Sequence, residues 1–153
     1  MHSRIGSSSG FSLLELLIVV AIILVIATIA IPSLLRSRQT SNESAAVANL
    51  RTVSNAEATY IAASGGYYGT AAQLVSQGLL DDRFVRGVVT GYSYNIASSG
   101  DAFTATAVPA SSNMGRYGYY METDGVIRFS TTLSLAPAGL TGRAVRCGRR
   151  LFF

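Results

Sequence analysis

Residues 10–31, GFSLLELLIVVAIILVIATIAI, form an apolar run broken near its start by one carboxylate, Glu15. From Phe11 to Ile31 the 21 residues span about 31 Å as a helix at ~1.5 Å per residue, enough to cross the core of a bilayer. A carboxylate in such a segment costs on the order of 2–3 kcal/mol at the bilayer centre and less toward an edge. A plain anchor gains nothing from it. Glu15 therefore asks for a partner, and the partner it implies is another copy of the chain. Two effects would also accommodate it within one chain. Phe11 and Glu15 are i and i+4 and would share a helix face, and a first-turn carboxylate is favoured by the helix dipole by roughly 0.3–1 kcal/mol.

Other readings of the run fit less well. A secretory signal peptide needs a short apolar core and a small-x-small cleavage site, whereas this core is long, carries Glu15 and lacks a clear A-x-A site. An ordinary signal anchor accounts for the length but not for the Gly10-Phe11 junction or the carboxylate.

The 153 residues leave room for one long helix and one small domain. The formal charge of +4 is unevenly spread. Residues 11–142 carry seven Arg against eight acids, and the excess lies in Arg143, Arg146, Arg149 and Arg150. The body is thus no basic nucleic-acid surface; only the Arg-rich end could reach nucleic acid or an anionic surface. All twelve cations are Arg, so the lysine of a P-loop is missing. His2 is the sole histidine and Cys147 the sole cysteine, which rules out a catalytic triad and an internal disulfide. These absences exclude an enzyme and leave no cofactor to expect. Asp81, Asp82, Asp101, Glu122 and Asp124 could offer oxygens to calcium, but their spacing fits no EF-hand loop.

Gly10-Phe11-Ser12-Leu13-Leu14-Glu15 ahead of an apolar helix and Pro32 resembles the class III signal of bacterial type IV prepilins and of type II secretion pseudopilins. The resemblance covers about the first third of the chain. It implies that residues 1–10 are a leader, cut between Gly10 and Phe11 by a prepilin peptidase that also N-methylates Phe11. It further implies that Glu15 pairs with the terminal amine of a neighbouring subunit. The expected partners are copies of the chain and other pilins, the peptidase/methyltransferase, the membrane, and an inner-membrane platform with a separate ATPase. The expected location is the bacterial inner membrane with the head in the periplasm, and then an extracellular pilus or periplasmic pseudopilus. Positive-inside counting, with Arg36 and Arg38 against Arg4, favours the opposite orientation. The lone Cys147 departs from the many relatives that close a C-terminal loop with a disulfide.

Pro32 should kink the helix by removing one hydrogen bond, after which the helical pattern continues to about Ala63. Ala46, Leu50, Val53, Ala56 and Tyr60 make an apolar stripe, with Asn42, Glu43, Asn49, Arg51 and Glu57 read as largely off it. Gly65-Gly66 supplies the stop. Thr70 and Gln73 have capping-box spacing before a short helix to about Gln77, capped by Gly78. Tyr67 and Tyr68 read as packing under a connecting loop. Alternation predicts strands at Tyr92–Ile96, Phe103–Val108, Tyr117–Thr123 and Val126–Ser130, with Asp124-Gly125 a hairpin turn.

The expected fold is α+β and pilin-like, a long N-terminal helix packed on a small antiparallel sheet of three or four strands. Its parts are the leader (1–10), the transmembrane assembly helix (11–35), the amphipathic half-helix (36–64), a connecting region with a short helix (65–90), the β-meander (91–130) and a flexible basic tail (131–153). The function expected from the resemblance is that of a filament subunit for adhesion, motility or DNA uptake. A pseudopilin driving protein export is the alternative, and a monomeric membrane-anchored binding module a third.

Overall fold

One helix, α1 (Leu13–Ala63), takes up 51 residues. It is the first element of a computed structural model that describes residues 11–130, 136–137 and 139–145. The chain divides into two compact units, Met1–Arg36 and Ser37–Phe153.

In the first unit the large apolar side chains have no cover. Leu13 is 80% exposed, Ile29 74% and Val25 64%, and none of the most apolar 18-residue window is buried. Such a surface needs lipid or another protein around it. The helix is long and apolar enough to cross a membrane by length and composition. The Thr28 hydroxyl donates to the Val25 carbonyl at 2.7 Å, so even that polar group is satisfied within the helix.

The second unit is built on the rest of α1. Ala46, Leu50, Val53 and Ala56 are buried at three- and four-residue steps, the stripe expected from the sequence. The helix stops at two glycines in the left-handed region, Gly65 (φ +75°) and Gly66 (φ +102°), with the Gly66 N–H donating back to the Ile61 carbonyl. Helix α2 (Ala71–Ser76) starts at Thr70. Its hydroxyl accepts from the Gln73 N–H, while the Gln73 side chain accepts from the Thr70 N–H at 2.8 Å. A further short helix, α3 (Arg83–Arg86), precedes the sheet.

The sheet is an antiparallel meander of β1 (Val88–Val89), β2 (Tyr92–Ser98), β3 (Phe103–Pro109), β4 (Tyr119–Glu122), β5 (Arg128–Phe129) and β6 (Arg143–Ala144), in that order. The α+β expectation holds, but the sheet has six strands where the sequence predicts three or four. The additions, β1 and β6, are two-residue edge ladders, Val88 opposite Ser93 and Phe129 opposite Arg143. Two residues cannot show an alternation. β6 and a 3₁₀ turn at Gly139–Thr141 also fall within 131–153, the stretch expected to be a flexible tail. Arg146, Cys147, Arg149 and Arg150 lie outside the described residues.

Along β3 every second residue points inward: Phe103, Ala105, Ala107 and Pro109. The small Ala105 and Ala107 stand opposite Met121 and Tyr119 on β4, so large side chains fill the space over small ones. Aromatic pairs close the core's margins. Tyr68 packs on Phe103 at 5.0 Å and Phe84 meets Tyr94 edge-on at 5.1 Å. Tyr68 therefore packs as expected, whereas Tyr67 is 62% exposed.

Candidate functional site

Two groups of residues carry more than packing. The first is the start of the apolar helix. Phe11 and Ser12 precede α1, and the Ser12 carbonyl accepts the first helical bond, from the Leu16 N–H at 3.2 Å. Glu15 lies in the first helical turn, where backbone N–H groups point outward and favour a negative charge. Phe11 (78% exposed), Leu13 and Leu14 flank it, so the carboxylate is an exposed charge within an exposed apolar surface. The helix runs through Pro32 without a break, although the proline has no N–H for the carbonyl four residues back. Gly10, the expected cleavage residue, lies outside the described residues.

The second group lies in the second unit, and the sequence reading placed its key residues wrongly. Glu43 (4% exposed) and Glu57 (0%) are buried, not on the polar face. Their spacing held the signal: 43, 46, 50, 53, 57 and 60 step by three and four, so both carboxylates continue the apolar stripe. Polarity concealed what position implied.

Glu43 anchors the β3–β4 connection. Its Oε1 accepts the Arg116 N–H at 2.9 Å and Arg116 Nε at 3.1 Å, and its Oε2 accepts Arg116 Nη2 at 3.1 Å. The planar guanidinium meets the carboxylate as a fork, and the added backbone donor uses a remaining lone pair. Two neighbours on α1 extend the seam: Gln39 Nε2 donates to the Ser112 carbonyl and Asn42 Nδ2 to the Met114 carbonyl, each at 2.9 Å. Alternate residues of the loop, 112, 114 and 116, are thus pinned by 39, 42 and 43. Gly115 is needed between them, because a Cβ there would lie 2.6 Å from the Tyr92 ring carbon that bears the hydroxyl. That hydroxyl donates to the Tyr117 carbonyl, and burial pushes its pKa upward.

Glu57 has a poorer environment. Its Oε2 accepts the Gly69 N–H at 2.9 Å, and its Oε1 has no partner among the described residues. Burial raises its pKa, partly opposed by the Gly69 hydrogen bond.

Of the five acids considered for calcium, Asp81 pairs with Arg83, Asp82 with Arg86 and Asp124 with Arg128. Among the described residues, no three His, Cys, Asp or Glu side chains gather as a metal site would require.

Against known proteins, residues 6–31 match the prokaryotic N-terminal methylation motif. The chain is also 37% identical over 73 residues to the type IV wide pilus major component PilA4 of Thermus thermophilus. That alignment covers 48% of this chain and 56% of the relative, so the chain spans little more than half the length of the protein it matches. The motif contains every residue of the first group except Pro32.

Proposed function

We propose that this chain is a type IV pilin, a structural subunit that polymerises through its N-terminal helix, a reading supported by its methylation motif and its pilin relative. It is not an enzyme. The observation that carries the reading is the coincidence of three features in residues 11–31. They carry the methylation motif, their apolar side chains are uncovered, and a carboxylate lies in the first turn.

The mechanism follows from those features. Cleavage between Gly10 and Phe11 creates an ammonium group four residues before Glu15, and methylation leaves it cationic. In the membrane the helix is surrounded by lipid; in a filament it is surrounded by the same helix from other copies. The exchange gains little from apolar burial alone, since lipid is as apolar as leucine. The directional contribution is the pairing of the Phe11 ammonium with a neighbour's Glu15. At 4 Å and an effective dielectric near 20, Coulomb attraction is about 4 kcal/mol before desolvation is subtracted. Glu15 thereby sets register more than it adds adhesion. Pro32 is where we expect the helix to bend. Work for extracting the helix from lipid comes from a separate ATPase, since a chain without lysine has no P-loop.

Intact-mass and N-terminal analysis of protein from membranes and sheared filaments tests the reading. The expected result is a chain beginning at N-methyl-Phe11, with Gly10→Val leaving full-length precursor in the membrane. An intact Met1, or a cut near Ala30, would overturn it.

A further inference from the structure

Glu57 takes no part in the proposed assembly, yet it is the fully buried acid beneath the α1–α2 loop. The loop comes to it in a defined way. Gly69 passes so close over Tyr60 that a Cβ would lie 3.1–3.2 Å from three ring carbons, and this approach brings its N–H to Glu57 Oε2. The residue before it, Tyr68, donates its N–H to the Gly100 carbonyl at 2.7 Å, and the Ser98 hydroxyl donates to the Tyr68 carbonyl at 2.8 Å. The residue after it, Thr70, caps α2, whose Leu74 is wholly buried. Tyr68, Gly69 and Thr70 thus fasten helix, sheet and α2 to one another, and Glu57 holds the middle of the three.

The charges around this point are few. Besides Glu57, the nearest ionisable residues along α1 are Arg51 and Tyr60; the loop carries Tyr67 and Tyr68, β2 carries Tyr92 and Tyr94, the β2–β3 turn carries Asp101, and α2 carries none. What acts on Glu57 is burial and the Gly69 N–H, not a neighbouring charge. There is no cation between Arg51 and Arg83. An ionised Glu57 would face a single backbone N–H from the interior of the head, with its second oxygen unpartnered. A buried carboxylate without a counter-charge resolves this by taking up a proton or by admitting water.

We propose that Glu57 is a proton-operated latch on the α1–α2 loop: protonated, it keeps Gly69 seated on the helix, and ionised, it draws in water and loosens residues 67–74. The inference stands on the packing of the head and does not depend on filament assembly.

Hydrogen exchange on the purified full chain in detergent, corrected for intrinsic exchange rates, tests it between pH 5 and 9. Protection of residues 67–74 should fall by up to tenfold per pH unit above the ordinary glutamate value and then level off. Strands β2 and β3 should show less than a twofold change. Glu57→Gln keeps an oxygen for the Gly69 N–H and cannot ionise, so its protection should be independent of pH. A wild-type profile without slope, or the same slope in the variant, would overturn the proposal. Should the variant not fold, ¹³C titration of the Glu57 carboxyl in the wild-type chain decides. A midpoint above the ordinary glutamate value supports the latch, and one at that value refutes it.

Discussion

Arg116 offers Glu43 a guanidinium fork and a backbone N–H, and Glu43 is 4% exposed, so the two residues cannot be removed symmetrically. Replacing the arginine leaves a carboxylate buried without its counter-charge, which typically costs about 3–5 kcal/mol. Arg116→Met should destabilise the head by about that much in denaturant unfolding of the detergent-solubilised chain, and Arg116→Lys by somewhat less, because a lysine cannot form the fork. Glu57 behaves differently because only the Gly69 N–H compensates it, and only in part. Its pKa in the fold lies above the unfolded value of about 4.5. The stability it contributes is therefore complete below the unfolded value and lost as pH rises through the folded one. Asp81, held down by the Arg83 N–H, and Asp124, held down by Arg128, act in the opposite sense, but on exposed and screened sites. The decisive measurement is a comparison of melting temperatures. Glu57→Gln should melt higher than wild type at pH 8, and the gap should close toward pH 4.5.

At the scale of elements, legibility followed length. β2 and β3 have seven residues each, enough for the alternation of Tyr92 and Ile96, and of Phe103, Ala105 and Ala107, to be read directly. β1 and β6 have two each: β1 pairs with the edge of the seven-residue β2 and β6 with the equally short β5, and no local pattern announces either. The same holds for α3, four residues whose Phe84 is fixed by Tyr94 from across the fold. Helix α2, at six residues, is short too but legible, because its start signal is chemical: hydroxyl and amide at the spacing that satisfies two otherwise unpaired N–H groups. Thr70→Ala removes one half of that exchange and should cost about 1 kcal/mol, seen as a fall of a few degrees in melting temperature. Thr70→Ser, which keeps the hydroxyl, should restore most of it.

For the whole molecule, the two units express one sequence logic in opposite ways. In the head, a carboxylate on the apolar stripe is met within the chain, fully at Glu43 and partly at Glu57. In residues 11–36, Glu15 and the apolar side chains around it are left exposed, and in the proposed function their partner is another subunit. That is why the exposed apolar segment with its carboxylate stands out in the sequence while the head's buried acids do not. An unsatisfied charge in an apolar run stands out; a satisfied one on an amphipathic helix looks like surface. The contrast predicts what Glu15→Leu does. Membrane insertion should be as good as wild type or better, because a charge leaves an apolar segment. Stability of the head should not change, since its core is drawn from residues 46 onward. Docking should fail, because an incoming Phe11 ammonium would enter a protein core without a counter-charge, a penalty of several kcal/mol that one subunit contact does not offset. A monomeric anchor would behave otherwise, losing only a cost, and the substitution would be silent or stabilising. Quantifying membrane-inserted and sheared-filament fractions for wild type and Glu15→Leu separates the two outcomes. Unchanged insertion with filaments absent is the result expected of a subunit; a normal filament yield would mean that Glu15 is no more than a tolerated first-turn acid.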